Sequence, residues 1–172
     1  MSPLRLLPFA ALTAVLLTGC AGYHLGSATP KRMNGIKTIA VPTFRNSTLI
    51  PRLETLAAST VVAEFQRDGT FAIRSSNKAD AVLEGTITQI TRSGVRSVRS
   101  DILQQQEYTL TVKIRYTITR TATGERIEEA DVIGETSFFV SSNDISQDER
   151  QALPIALQQA ATRLVSRIST GW

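Results

Sequence analysis

The stretch YTLTVKIRYTITR, Tyr108 to Arg120, constrains the fold more than any other part of this chain. Tyr108, Leu110, Val112, Ile114, Tyr116 and Ile118 recur at every second position, and Thr109, Thr111, Lys113, Arg115, Thr117 and Thr119 fill the gaps. Successive side chains of a strand point to opposite faces, so this pattern requires one buried face and one wet face. TATGE then reads as a hairpin turn, with Gly124 free to take a positive φ. The returning segment, 125–140, sets Ala130, Val132, Gly134, Thr136, Phe138 and Val140 on one face. Glu129, Asp131 and Glu135 fall on the other. Acids and bases can therefore pair across the wet face of the hairpin, each pair contributing about 0.2–1 kcal/mol.

Two segments have helical spacing instead. Leu53, Leu56, Ala57, Thr60, Val61 and Phe65 define the first, with Pro51 in its opening turn and Gly69 as its stop. Leu153, Leu157, Ala160, Ala161, Leu164 and Ile168 define the second, which Gly171 ends. Ser146 and Glu149 match a capping box, with Asp144 as an alternative cap. Pro154 conflicts with a helix interior, so the sequence predicts either a kink there or a main helix beginning at that residue. Upstream, IKTIAVPTF (36–44) reads as a strand that Pro42 places at an edge or an end. TFAIRSS adds a brief strand, and residues 80–99 an irregular one with Gly85 and Gly94 as bulges. The order β-α-β-β-β-α predicts an α+β two-layer sandwich. Its sheet is expected to be mostly antiparallel and four-stranded, with both helices on one face.

The N-terminus has a different character. Arg5 is the only charge before Cys20, and Leu6 to Leu17 is apolar apart from Thr13. That run is shorter than the ~20 apolar residues needed to span a bilayer, and it ends on small residues, as an export signal does. The chain is thus divided into a signal at 1–19, a tether at 20–35 and one domain at 36–172. Cys20 is the only cysteine, so the exported domain has no internal disulfide and must be held by packing.

Catalytic chemistry finds little support. The chain has one histidine, His24, which argues against a transition-metal site; no cofactor motif, P-loop or nucleophile elbow occurs. The acids between Glu125 and Glu135 read as a solvated strand face. A net charge of +4 tolerates an anionic partner but does not call for nucleic acid. The basic residues are more informative: Arg92, Arg96 and Arg99 fall within eight residues with no acid before Asp101. Guanidinium forks bind phosphate bidentately, so this cluster is a candidate site for an anionic head group, or else a charged edge that blocks strand aggregation.

LTGC (17–20) resembles the lipobox of bacterial lipoproteins, in which the signal is cut before a cysteine that is then acylated. Ala21 in place of aspartate implies, by that resemblance, delivery to the outer membrane. The remainder resembles the LptE family. GYHL (22–25), IAVPTFRNSTLIPRLE (39–54), QEYTLTVKIRYTI (106–118) and SFFVS (137–141) occur in that family's order. The resemblance implies a non-enzyme, lipid-anchored on the periplasmic side of the outer membrane, that plugs and helps assemble the LptD β-barrel and contacts lipopolysaccharide. Arg92, Arg96 and Arg99 are the expected contacts to its phosphates. The residues alone leave open a periplasm-facing lipoprotein that binds a small amphiphile or peptidoglycan without a barrel.

Overall fold

The structure is a computed structural model that describes residues 29–94, 106–140 and 145–171. Among the described residues, six strands and two long helices follow a short 3-10 turn at Lys31–Met33: β1 Thr38–Ala40, β2 Arg45–Asn46, α1 Leu53–Asp68, β3 Ala72–Ile73, β4 Ala81–Gly94, β5 Gln106–Arg120, β6 Arg126–Val140 and α2 Ile145–Thr170. The α+β class is as expected. The sheet, however, has six strands and is mixed, in the order β3-β1-β4-β5-β6, with β2 continuing beside β4 beyond β1. Helix α1 carries the chain back to the end at which β1 began, so β3 and β4 start there too and pair with β1 in parallel. The single strand expected at 36–44 is broken: β1 stops at Ala40, two residues before Pro42, and the chain rejoins β4 only as β2.

The β4–β5–β6 meander follows the alternation read from the sequence. Leu110, Val112, Tyr116 and Ile118 are fully buried, and the turn is made with Gly124 at φ 70°. The irregularity of β4 is not at its glycines. Gly85 stays in register opposite Tyr116, and the register shifts between Ile87 and Gln89. The absent side chain of Gly85 leaves room for the ring of Phe44, whose nearest atom lies 2.4 Å from where a Cβ would stand.

Helix α1 begins at Leu53, after Pro51 and after Arg52, which takes a left-handed conformation at φ 64°. Asn46 organises the loop before it: its amide donates to Ile50 O at 2.7 Å, and its side-chain oxygen accepts from the Thr48 N–H and hydroxyl. Gly69 closes α1 as expected, at φ 74° with its N–H on Phe65 O. Helix α2 runs unbroken through Pro154, whose side is exposed. Because it starts at Ile145, Ser146 lies inside the helix rather than at its cap; Asp144 is outside the described residues.

Both helices pack on one face of the sheet in a single core. Glu64 on α1, almost buried, accepts from Gln158 at 2.7 Å and Thr162 at 3.1 Å on α2. Among the described glycines, Gly134 on β6 is the most tightly covered. A Cβ there would meet Ala156 O at 2.0 Å and Ala160 N at 2.5 Å. Gly134→Ala must therefore push α2 off the sheet. We expect a loss of about 2–3 kcal/mol, with an unchanged m-value, in urea unfolding.

Candidate interaction surface

The face of the sheet turned away from the helices is built from the wet positions of three strands. Register places Thr86, Arg115 and Asp131 in one row, Gln89, Lys113 and Ile133 in the next, and Thr91, Thr111 and Glu135 beyond. Asp131 joins two of these rows. Arg115 donates to both of its oxygens, at 2.8 and 3.2 Å, and Lys113 Nζ lies 2.8 Å away. These bonds, Arg115 first, hold the Asp131 carboxyl down at about 2. The cross-strand pairing expected on this face is thus present. Phe139 and Ile133 are the apolar exceptions, at 55% and 39% exposure.

Beyond the β4 bulge the faces exchange. Ile90, Arg92 and Gly94 stand opposite Val112, Leu110 and Tyr108, on the helix side of the sheet. Arg92 consequently reaches α2: Nη1 lies 2.5 Å from Glu149 Oε2, and its guanidinium carbon is 6.0 Å from the centre of the Tyr108 ring. That ring stacks on Phe138 at 5.8 Å. Arg92 is therefore fixed at the upper end of the molecule, beside the start of α2. Arg96, Arg99 and Cys20 lie outside the described residues.

Several groupings join residues distant in sequence. Glu128, which the sequence assigns to a solvated strand, stands opposite Ile118 and shares the helix side with Ala130 and Val132, as the alternation of β6 requires. It accepts from the Tyr116 hydroxyl at 3.1 Å and Arg167 Nε at 2.8 Å, with Arg32 Nε 2.9 Å from its second oxygen. Burial, then the charge of Glu128, pushes the Tyr116 hydroxyl well above its ordinary value. At the free edge of β6, Arg163 donates to Ile133 O at 2.6 Å, and Gln159 accepts from Glu135 N. Helix α2 thereby occupies backbone groups that would otherwise be open to another strand. Among the described residues no group of three or more His, Cys, Asp or Glu could hold a metal ion, and no helix is long and apolar enough to cross a membrane.

The family model described as "LptE: Lipopolysaccharide-assembly" matches residues 36–168. No curated protein sequence matches significantly. Among solved structures, a minor lipoprotein from Acinetobacter baumannii has a TM-score of 0.52 at 15% identity, covering 79% of this chain and 92% of its own. A hypothetical protein from Chlamydia trachomatis has a TM-score of 0.53 at 11% identity, over 78% of this chain and 96% of that one. The PelC dodecamer of Paraburkholderia phytofirmans gives 0.50 at 15% identity, over 84% and 93%. At such identities these likenesses bear on the fold alone.

A depressed carboxyl stabilises the fold above the ordinary carboxylate range and loses that contribution as pH falls toward 2. Carbon-detected NMR titration should accordingly place the Asp131 midpoint near 2. Arg115→Gln should raise it toward the ordinary 3.8 and weaken the acid dependence of unfolding between those values.

Proposed function

The chain belongs to the LptE family of lipopolysaccharide-assembly proteins, and from that premise we propose that it is a non-catalytic lipoprotein acylated at Cys20. It is held on the periplasmic side of the outer membrane, where it plugs the LptD-type β-barrel, assists its assembly and contacts lipopolysaccharide in transit. The observation that carries this reading is the uncovered sheet face. Threonines and the Arg115–Asp131–Lys113 cluster line it, while the core and both helices lie on the opposite side. The lumen of an outer-membrane barrel is polar, and a threonine-rich, hydrogen-bonding plate suits it. The capped β6 edge supports the same reading, since it favours docking of side chains over strand addition.

Arg92, Arg96 and Arg99 are the proposed contacts to lipopolysaccharide phosphates. Arg92 stands at the β4 end that leads into residues 96 and 99, and Glu149 keeps its guanidinium in place. A phosphate arriving there competes with a single carboxylate for the arginine fork.

Mild detergent extraction should recover the chain with a β-barrel partner, and depletion should remove lipopolysaccharide from the cell surface. A strictly monomeric extract with an intact outer leaflet would overturn the reading and favour a lipoprotein that binds a small amphiphile or peptidoglycan. Separately, replacing Arg92, Arg96 and Arg99 together by glutamine should weaken lipopolysaccharide binding at low salt more than at high salt. Affinity unchanged at both salts would remove the arginines from the site.

A further inference from the structure

The end of the domain at which the tether joins carries the molecule's excess charge. Seven features meet there: the 3-10 turn at Lys31–Met33, the C-termini of both helices, the starts of β1, β3 and β4, and the β5–β6 turn. Residues 30–38, 67–80, 119–129 and 167–171 make up this end and contain nine basic and five acidic side chains. The rest of the described chain contains seven basic and eight acidic. The positive excess of the described residues is thus confined to one end. The two helix C-termini offset about one charge there, leaving the end positive.

The acids of this end are largely engaged inside it. Glu128 is held by Arg32 and Arg167, Glu129 by Arg126, and Asp80 by the backbone N–H groups of Lys37 and Thr38 at 2.9 Å. Asp68 accepts from the Ser169 hydroxyl at 2.8 Å. Lys31, Arg74 and Lys78 are exposed and make no ion pair with any described residue.

The same end fixes where the chain enters. Arg32 donates to Arg167 O at 2.9 Å as well as pairing with Glu128, and Arg120 reaches Asn34 O at 3.4 Å. Gly171 lies against Pro30, whose ring is 3.3 Å from the position of a Cβ. Residues 20–29 separate Cys20 from this fixed point, a reach of about 30 Å at full extension. An acylated Cys20 would therefore hold this basic end, and not the Arg92 end, within reach of the bilayer surface.

We infer that the tether end is a docking surface for the anionic phospholipid headgroups of the membrane in which the chain is anchored, with Lys31, Arg74 and Lys78 as its contacts. This rests on the proposed anchor at Cys20. The surface orients the domain end-on, with its basic end at the headgroup layer. Each lysine or arginine near an anionic surface contributes about fivefold to binding, and three together suffice to bias the orientation of a tethered domain.

The test separates the surface from the anchor. The mature chain from residue 20 to 172, carrying Cys20→Ser, keeps the whole core, which begins at Met33, and cannot be acylated. It is mixed with vesicles of phosphatidylethanolamine and phosphatidylglycerol, or of phosphatidylcholine alone, and bound protein is measured by sedimentation. Binding only to the anionic vesicles is expected. The triple variant Lys31→Glu, Arg74→Glu, Lys78→Glu should bind them about 100-fold less well, or worse. Arg45→Glu with Arg150→Glu, exposed and distant from this end, should bind like the parent. No binding, equal binding to both vesicles, or an equal loss in the two variants would overturn the proposal. A native spectrum for each variant excludes unfolding as the cause. Acylation is read independently from the mass of the unaltered mature chain, so failure of the anchor and failure of the surface give different results.

Discussion

Helix α2 lies on the sheet at a distance that only glycine permits. At Gly134 the helix backbone, through Ala156 O and Ala160 N, occupies the space a side chain would fill, and Ala152, Ala156, Ala160 and Ala161 keep the facing side of the helix low. Much of the remaining architecture follows from that seat. The close approach brings Arg163 and Gln159 to the backbone of β6, which closes the sheet edge. It sets Glu149 beside Arg92 at one end and Arg167 beside Glu128 at the other. It also commits both helices to one layer, so the opposite face of the sheet stays uncovered. A larger residue at 134 would disturb all of these at once, because close-packed interiors transmit displacement and do not absorb it.

The two ends of the sandwich are electrostatically unlike. One carries the positive excess and the chain's point of entry; the other has Arg92 balanced by Glu149. Between them Asp131 is paired at close range with Lys113 and Arg115, a cluster that exerts little field at a distance. The molecule therefore has an axis, running along its long strands, and the polar face presents the same row pattern along that axis. A part that must be inserted in one direction benefits from such a distinction, since net charge alone would not tell one end from the other.

The local patterns were legible where one residue type at one period decides the outcome. The alternation of 108–118 fixed both faces of β5, the apolar spacing of 53–65 fixed α1, and Gly69, Gly124 and Gly171 all adopt the positive φ expected of turn or stop residues. What escaped depends on partners distant in sequence. Nothing in IKTIAVPTF says that its neighbours run parallel; that follows from how α1 returns the chain. Pro154 carried a real conflict, yet the helix continues through it, because packing of the faces on either side outweighs one missing bond. Glu128 looked like its acidic neighbours, although its spacing from Ala130 and Val132 already set it on the helix side, opposite Ile118. Gly134 gave no sign beyond its place on the apolar face, because the helix that needs the space is contributed by residues twenty and more positions later. Of the arginine cluster, Arg92 could be placed in the sequence but not on a face, since its side depends on where the register shifts.

That register shift has one more consequence. Between Ile87 and Gln89 the strand carries one residue more than its partner requires, and every position from there to Gly94 takes its face from that surplus. Were Thr88 taken into the ladder as an ordinary paired residue, Arg92 would move to the open face and Thr91 and Ser93 would turn against the helix. Deleting Thr88, by contrast, would let Gln89 follow Ile87 directly and would leave Arg92 and its neighbours on the faces they now occupy. The surplus residue is thus slack in the strand, and what it protects is the side on which six later residues stand.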